Sequence, residues 1–301
     1  MKQYNTQQKK KIVLSINKVK NKRILALKFN ISIRTYYYWK KKLQETGIIE
    51  NKSRKPKNSP NKLKNKMIIN KIISIRKKYQ YGKTKIKKLL EKEKIKIGTT
   101  AIETILKEYN LYQKKKKKIR KKHKGKHAFY IKEAGEKVQI DTKYAFFGEI
   151  RYYQLTAVDL ATRITFRYLY REKTPDNTVD FMKRLIEYFP FRIHCIQSDN
   201  GTEFTYRKHF FETEHPLDIF CTKQHIKRVY SPVASPWYNG VVESTHNRDQ
   251  KEFYDFCSRE LTLEKANQKL IKYNNFWNHK RIHSALNYDT PMLYFKKIRN
   301  T

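Results

Sequence analysis

The stretch Gln197–Phe204 places an acidic turn directly after a short apolar run, and this feature constrains the fold more than any other. The preceding residues, Ile193–Ile196, are typical of a buried strand. Asn200-Gly201 is a strong turn signal, so Asp199 is expected where the chain leaves a sheet. Open α/β sheets present their chemistry at that position. A single Asp in a turn is more often a local hydrogen-bonding residue, so a functional interpretation depends on further acids.

Positive charge is concentrated in the first part of the chain. The 301 residues carry a formal net charge of +42, and residues 1–130 contain 42 of the 69 Lys and Arg residues but only 6 of the 27 acids. Frequent Lys, Asn, Ile and Tyr are typical of an AT-rich genome, and a solvated lysine surface is the alternative interpretation. That bias does not explain the scarcity of acids before residue 130. Such a polycation predicts nucleic acid as the partner, bound through counterion release.

Several other classes of protein are disfavoured by the composition. No apolar run reaches membrane-spanning length, and Met1–Asn5 does not open a secretory signal. The three cysteines lie far apart without CxxC spacing, which argues against a disulfide framework or a structural zinc site. We therefore expect a reducing intracellular compartment.

Residues 1–50 are predicted to form a helix-turn-helix domain. Two short helices are followed by a third over 33–46, between a Ser32 N-cap and Gly47. Its Tyr36 and Trp39 have the spacing of an inward face. The outward face is basic and aromatic and is predicted to contact DNA; it consists of Arg34, Tyr37, Tyr38, Lys41 and Lys42. The alternative is a small three-helix core with a solvated lysine face.

A second helical domain is predicted over residues 62–112, after a polar linker at Asn51–Asn61. Its last helix is expected to be capped by Thr99, and the three-helix pattern resembles a second helix-turn-helix. Residues 113–130 form a basic linker whose centre, Lys114–Lys126, is too charged to fold alone and is predicted to bind phosphates. A linker without any binding role is the alternative.

The composition changes near Val138, and residues 131–295 are predicted to form an α+β domain. Three antiparallel strands come first, and a helix begins at Thr174-Pro175. The strand before Asp199 follows, then a short strand over 226–230 and two helices, one beginning near Val241 and one over 261–278. The order of strands and helices places this domain in the α+β class.

Two further acids change the interpretation of Asp199. Asp141 lies inside the first strand among apolar neighbours, where a carboxylate is costly unless it is paired or metal-bound. Glu243 lies in the first turn of a helix that could pack beside both strands. Carboxylates converging without His or Cys suit Mg²⁺ or Mn²⁺, and two such ions support in-line phosphoryl displacement. Glu203 is a rival third ligand, whereas Asp159 is predicted to be a turn residue.

Three segments of the chain resemble the integrase core of DDE transposases and retroviral integrases. These are Gln139-Ile140-Asp141, Ser198–Phe204, and Ser235-Pro236 through Asn239-Gly240-Val241-Val242-Glu243. The tail over 273–291, with Lys280–Leu286 and Thr290-Pro291, matches bacterial members of this family. The resemblance covers about residues 130–295 and departs from the usual pattern in one respect. Asp199 and Glu243 are separated by 43 residues rather than 35, and the surplus is expected as a surface loop over 208–218.

The resemblance implies an RNase H-like core, a five-stranded mixed sheet with flanking helices, in which Asp141, Asp199 and Glu243 are catalytic and hold Mg²⁺ or Mn²⁺, two ions per site. It implies a transposase of a bacterial insertion sequence, nucleoid-associated in the cytoplasm. This enzyme would bind terminal repeats and target DNA as duplexes, assemble as a homo-oligomer on DNA, and cleave and join strands. The alternatives are an inactive DNA-binding protein or repressor, and a nuclease that cuts without joining.

Four residues near the predicted site are candidates for contacting DNA, each with a packing role as the alternative. Trp237 and Tyr238 precede the helix that carries Glu243 and could stack on target bases. His246 and Asn247 lie about one helical turn beyond Glu243 and could contact DNA near the cut.

Overall fold

The computed structural model describes residues 4–50, 63, 65–112, 131–206, 213–232, 236–258 and 261–300. The chain divides into two compact units, Met1–Lys62 and Leu63–Thr301. The predicted linkers at Asn51–Asn61 and Lys114–Lys126 lie outside the described residues. In the part that is described, no helix combines the length and apolar character needed to cross a membrane.

The first unit is a bundle of three helices, α1 (Thr6–Asn17), α2 (Lys22–Lys28) and α3 (Ile33–Thr46). The sequence signals at both ends of α3 are realised: the Ser32 hydroxyl accepts the backbone N–H of Thr35 at 3.1 Å, and Gly47 adopts a left-handed φ of 68°. Tyr36 and Trp39 are buried, as their spacing predicts. The side chains buried in this unit are Ile12, Val13, Ile16, Ala26, Tyr36, Trp39 and Ile49.

The second unit opens with α4 (Lys66–Tyr79), α5 (Lys83–Lys92) and α6 (Thr99–Glu108). The prediction that Thr99 caps α6 is wrong, because the N-cap position is taken by Gly98 and Thr99 is the first helical residue. These helices bury Ile72, Ile86, Leu90, Ile102, Ile105 and Leu106. Ile282, from the far end of the chain, is buried in the same cluster, so these helices pack against the C-terminal part of their unit.

A five-stranded sheet follows, with the strand order β3-β2-β1-β4-β5. The strands are β1 (Val138–Phe147), β2 (Ile150–Asp159), β3 (Thr165–Tyr170), β4 (Cys195–Ser198) and β5 (Lys227–Tyr230). The first three pair antiparallel, whereas β4 runs parallel to both β1 and β5. This mixed sheet with flanking helices confirms the predicted α+β fold of RNase H type.

Helices cover both faces of the sheet. They are α7 (Pro175–Tyr188), α8 (Pro216–Lys223), α9 (Gly240–Glu252), α10 (Leu263–His279) and α11 (Pro291–Arg299). Side chains of α7, α8 and α11 share one core with Val138 and Ile140 of β1, and α10 shares the other with Ala145 and Phe147. Helices α8 and α11 are additions to the predicted order. The expected surplus loop over 208–218 is partly helical, since α8 begins at Pro216, and residues 207–212 lie outside the described part.

The free edge of β3 is paired by asparagine side chains of α10. Asn267 accepts from Leu169 N at 2.9 Å and donates to Leu169 O at 3.0 Å. Asn278 does the same for Thr165, at 3.0 and 2.8 Å, and Asn274 donates to the carbonyl between them. An unpaired strand edge can associate with other chains. The asparagines of α10 occupy backbone groups on the edge of β3, as a neighbouring strand would.

Candidate active site

Two acidic side chains meet because of the register between β1 and β4. These strands run parallel, with Gln139 opposite Gln197. Asp141 follows the first glutamine by two residues and Asp199 follows the second by two. Side chains two residues apart share a face of a strand, so the register carries both carboxylates to one side of the sheet, at adjacent positions.

The start of α9 is attached to the same strands by the two glutamines. The side-chain amides of Gln139 and Gln197 both donate to the carbonyl of Tyr238, the second at 3.0 Å. Gln139 Oε1 also accepts the backbone N–H of Val242 at 3.3 Å. Glu243 lies in this first helical turn and is exposed. The sequence motif contains both glutamines, but their role in holding α9 depends on contacts about a hundred residues apart along the chain and was not predicted.

The three acids interact electrostatically. Burial, followed by the negative charges of Asp199 and Glu243, raises the pKa of Asp141 from 3.8 to about 7. A bond from Thr142 N to Asp141 Oδ1, 2.8 Å long, acts in the opposite direction. Asp199 Oδ1 accepts the N–H of Gly201 at 3.0 Å, which closes the predicted turn. The structure therefore brings Asp141, Asp199 and Glu243 into one acidic region.

Glu203, the rival third ligand, is buried beside this region and is paired. Lys173, which follows β3, lies 3.1 Å from Glu203 Oε2, and Glu203 is only 3% exposed. The same carboxylate fills the space beside Gly201, where any Cβ would collide with it. Asp159 is a turn residue, since its carboxylate accepts Gly135 N at 3.0 Å and Thr162 N at 2.8 Å.

The residues predicted to contact DNA near the site have different environments. His246 is half-buried and its Nδ1 lies 3.6 Å from Asp141 Oδ2; desolvation lowers its pKa to about 4, so the ring is neutral at pH 7. This position favours the packing alternative for His246. Asn247 is exposed and donates to Glu243 O at 3.1 Å. Tyr238 is half-buried, and the side chain of Trp237 lies outside the described part.

The residues predicted to contact DNA from the first unit lie on one helix. On α3, the side chains of Arg34, Tyr37, Tyr38 and Lys41 are exposed, and Lys42 is partly exposed. Tyr37 and Tyr38 are 52% and 57% exposed, unusually high values for large aromatic side chains. The outward face is therefore available, as its spacing predicts.

The donor set of the acidic region fits a hard divalent cation. It offers carboxylate oxygens, and a bound cation would offset the burial and the neighbouring negative charges that raise the pKa of Asp141. No three His, Cys, Asp or Glu side chains within the described ranges already converge closely enough to enclose one ion. The residues suited to holding the ion are Asp141, Asp199 and Glu243.

Comparisons with known proteins agree with this architecture. Two family models, both described as integrase core domain, match residues 132–236 and 224–291. "Putative integrase ORF3" of Spiroplasma virus SpV1-C74 is 31% identical over 205 residues, which span 64% of this chain and 56% of that relative. The chain thus covers little more than half the length of the curated relative.

Solved structures with similar folds include two retroviral proteins. The HTLV-2 integrase catalytic core domain, in complex with magnesium, is 19% identical, with a TM-score of 0.41 over 54% of this chain and 96% of that one. The simian T-cell lymphotropic virus intasome, in complex with a PP2A regulatory subunit, contributes a chain 18% identical, with a TM-score of 0.45 over 54% of each chain. The two family models together cover residues 132–291, and this part of the chain belongs to the integrase core family of DDE transposases and integrases.

Proposed function

We propose that this protein is the transposase of a bacterial insertion sequence. It binds the terminal repeats of the element as duplex DNA, cleaves at the element ends and joins the freed ends to a target. Membership of the integrase core family supports DNA integration in general, and the finer assignment rests on the bacterial-type tail and the basic N-terminal helices. The proposed location is the bacterial cytoplasm, on the nucleoid.

The observation that carries the proposal is the register of β1 against β4. It sets Asp141 beside Asp199, and the two glutamines on the same strands hold the first turn of α9, which carries Glu243. Three acids from separate parts of the chain thus share one acidic region, and Lys173 at its border interacts with both Glu203 and Asp199. Grouped acids of this kind favour a bound cation, because like charges at close range are unfavourable.

In the proposed mechanism, Asp141, Asp199 and Glu243 would hold two Mg²⁺ or Mn²⁺ ions. Such ions would supply Lewis-acid stabilisation of the charge that develops in an in-line displacement at phosphorus. The glutamines keep α9 in register with the two strands, since small displacements of catalytic groups reduce rates strongly. His246 is neutral and packed against Asp141, so it is assigned a positioning role.

The overall reaction has two phosphoryl transfers. In the first, water attacks a phosphodiester at the element end, a P–O3′ bond breaks, and a 3′-OH is freed. In the second, that 3′-OH attacks a target phosphodiester, so one new P–O3′ bond replaces the target bond that breaks. The first step hydrolyses a phosphodiester to a 5′-phosphomonoester and a 3′-OH, the second exchanges one ester bond for another and frees a 3′-OH of the target, and neither requires a redox partner.

The first unit is proposed to recognise duplex DNA through α3. Arg34 and Lys41 supply positive charge, and the exposed rings of Tyr37 and Tyr38 supply flat contact surfaces. A helix with this composition fits a major groove, with its cations on the phosphates. A homo-oligomer that holds two element ends is part of the same proposal.

A gel assay tests the proposed chemistry directly. Purified protein is incubated with Mg²⁺ and labelled duplex carrying the terminal repeats that flank the gene. We expect cleaved and joined products from the wild type and none from Asp199→Asn, which should still retard the duplex. Asp176→Asn, an exposed acid at the start of α7, is the matched control and should retain activity.

Two outcomes would replace the proposal. Cleavage without any joined product would identify a nuclease on the same fold. Retardation without cleavage by the wild type would identify a DNA-binding protein or an inactive copy. Full joining activity in Asp199→Asn would show that the acidic region is not the active site.

A further inference from the structure

A basic seam lies where helices α4–α6 pack against the core of the second unit, and the proposed chemistry does not use it. Tyr79 at the end of α4 stacks on Phe276 of α10, with ring centroids 5.8 Å apart and planes 4° apart. Lys85 of α5 and Arg248 of α9 both interact electrostatically with Arg281, which follows α10, and with Glu252; these four residues are called the seam.

Positive charge exceeds negative charge in the seam. Glu252 is the only acid in the described part of the chain that ion-pairs with any of its three cations. Arg281 occupies both oxygens of that carboxylate, with Nε–Oε2 at 2.6 Å and Nη2–Oε1 at 2.7 Å. The guanidinium of Arg248 donates a hydrogen bond to the carbonyl of Ser244, at 3.3 Å. Two further cations, the half-buried Lys85 and the exposed Arg248, therefore lie near an ion pair that is already complete.

Lys85 differs from the other lysines of its helix. Lys87 and Lys88 pair with Glu91, at 3.5 and 2.9 Å, whereas Lys85 Nζ lies 4.6 Å from the ring centroid of Tyr81. Burial and the neighbouring guanidinium of Arg281 lower the pKa of Lys85 to about 7. Grouping like charges is unfavourable, and an anion in the seam would relieve the repulsion while Arg248 remains accessible to it.

We propose that Lys85 and Arg248 bind one backbone phosphate of DNA. The duplex would then cross from helices α4–α6 onto the five-stranded sheet and its flanking helices. The proposal rests on the DNA-binding function proposed above. The seam is separate from the acidic region: Arg248 follows Glu243 by five residues, which places it about 140° around the axis of α9. The phosphate bound here therefore belongs to a stretch of duplex beside the reacting one.

The salt dependence of DNA binding tests the assignment. Lys85→Met, Arg248→Met and the double variant are made in the full chain; methionine keeps the apolar stem of each side chain while removing the charge. Binding to a labelled duplex of mixed sequence is measured by fluorescence anisotropy between about 50 and 200 mM salt. Each lost phosphate contact should reduce the slope of log K against log salt by about 0.9, and affinity at 0.1 M salt by roughly five- to tenfold.

Lys87→Met is the matched control, because it removes the same charge from the same helix where Glu91 already pairs it. Its slope should stay within about 0.3 of wild type. The charge-preserving variants Lys85→Arg and Arg248→Lys should recover most of the affinity, which separates loss of contact from loss of folding. A double variant that matches the control in slope and affinity would overturn the proposal.

A second arm distinguishes DNA phosphate from free phosphate. Inorganic phosphate is compared with chloride at equal ionic strength, and the thermal midpoint is measured. Stabilisation by phosphate in wild type but not in the double variant, with no change in DNA slope, would assign the seam to a free anion and overturn the DNA assignment. Failure of wild type to cleave or join element ends, with the slope change intact, would overturn the proposed function and leave the seam assignment standing.

Discussion

Two of the acids on helix α9 have opposite environments, and the contrast separates a structural carboxylate from a proposed functional one. Asp249, near its end, is fully buried and paired with Arg167, with Nε–Oδ2 at 2.8 Å. Gln154 donates to the same oxygen at 3.0 Å, and Tyr273 OH lies 3.3 Å from the other. Glu243, six residues earlier, is exposed and interacts electrostatically with Asp141. One helix thus connects a neutralised cluster to the acidic region.

The comparison extends to the sheet, where β1 and β3 present opposite charges to the same helix. Asp141 of β1 has its pKa raised by burial and by neighbouring acids. Arg167 of β3 is wholly buried, yet its guanidinium is held over the rings of Trp277 and Tyr273, at 4.3 and 4.9 Å. A buried charge that is paired with an opposite charge stabilises the fold. A buried charge without such a partner persists only where a ligand supplies the opposite charge.

The largest expected effect comes from Asp141→Asn, which should act in opposite directions on rate and stability. Loss of one metal-holding carboxylate should lower cleavage and joining by at least about a thousandfold. In EDTA, however, the variant should be more stable than wild type at pH 8, by up to about 4 kcal/mol. Cleavage gels and urea unfolding at pH 5 and pH 8 measure the two effects.

The sign of the pH dependence follows from the raised pKa of Asp141. Between about pH 4 and pH 7 the folded state binds more protons at this group than the unfolded state, so wild-type stability falls as pH rises through that window. Asn does not titrate, so its curve lacks this fall. Asp176→Asn should follow wild type. A variant less stable than wild type at pH 8 would show that Asp141 is compensated after all.

Breaking the neutralised cluster should cost stability instead of releasing it. Arg167→Met leaves Asp249 buried without its cation, and we expect a loss of about 3–5 kcal/mol in the free energy of unfolding. Adding Asp249→Asn removes the stranded charge but keeps an acceptor for Gln154, so most of the loss should be recovered. Urea unfolding of both variants checks this. Equal stability of the single and double variants would mean that the charge of Asp249 is unimportant.

Metal addition should affect only the acidic region. At a Mg²⁺ concentration about 100 times the dissociation constant, binding adds about 2.7 kcal/mol to stability. We expect the thermal midpoint of wild type to rise with Mg²⁺ at pH 8 and that of Asp199→Asn to rise much less. Arg167→Met, though destabilised, should keep the increment, because its site acids are unchanged. An equal increment in Asp199→Asn would place the ion elsewhere.

Local sequence signals predict many of the helices and strands that carry these charged residues. Thr174 caps α7 with Pro175 in its first turn, and Asp199 follows a buried strand, as the turn and capping residues indicate. These features depend on neighbours in sequence, so patterns of a few residues are sufficient. Helix α8 is short and begins within the stretch predicted to be a surplus loop. Its eight residues give only a weak amphipathic pattern.

Long-range polar pairing is the part that the sequence leaves open. Arg167 lies in a strand and Asp249 in a helix, and no spacing rule connects them before the fold is known. The same holds for Asn267 and Asn278 on the edge of β3, and for Gln139, whose partners lie about a hundred residues away. His246 has the helical spacing of a DNA contact and of a packed residue alike, and only its position 3.6 Å from Asp141 in the folded chain favours the second.

The smallest expected effect concerns Glu203, which lies near the site and pairs with Lys173. Lys173 is 30% exposed, so its bond to Glu203 is weakened by solvent, and Lys173→Met should cost about 1 kcal/mol, well below Arg167→Met. Glu203→Gln keeps an acceptor for Lys173 and should retain joining within about tenfold of wild type, because a compensated acid has little to offer a metal. Urea unfolding and the joining assay check both variants. If Glu203→Gln abolished joining as Asp199→Asn does, a carboxylate paired in the resting protein would be a ligand, and pairing would no longer separate structural from functional acids in this fold.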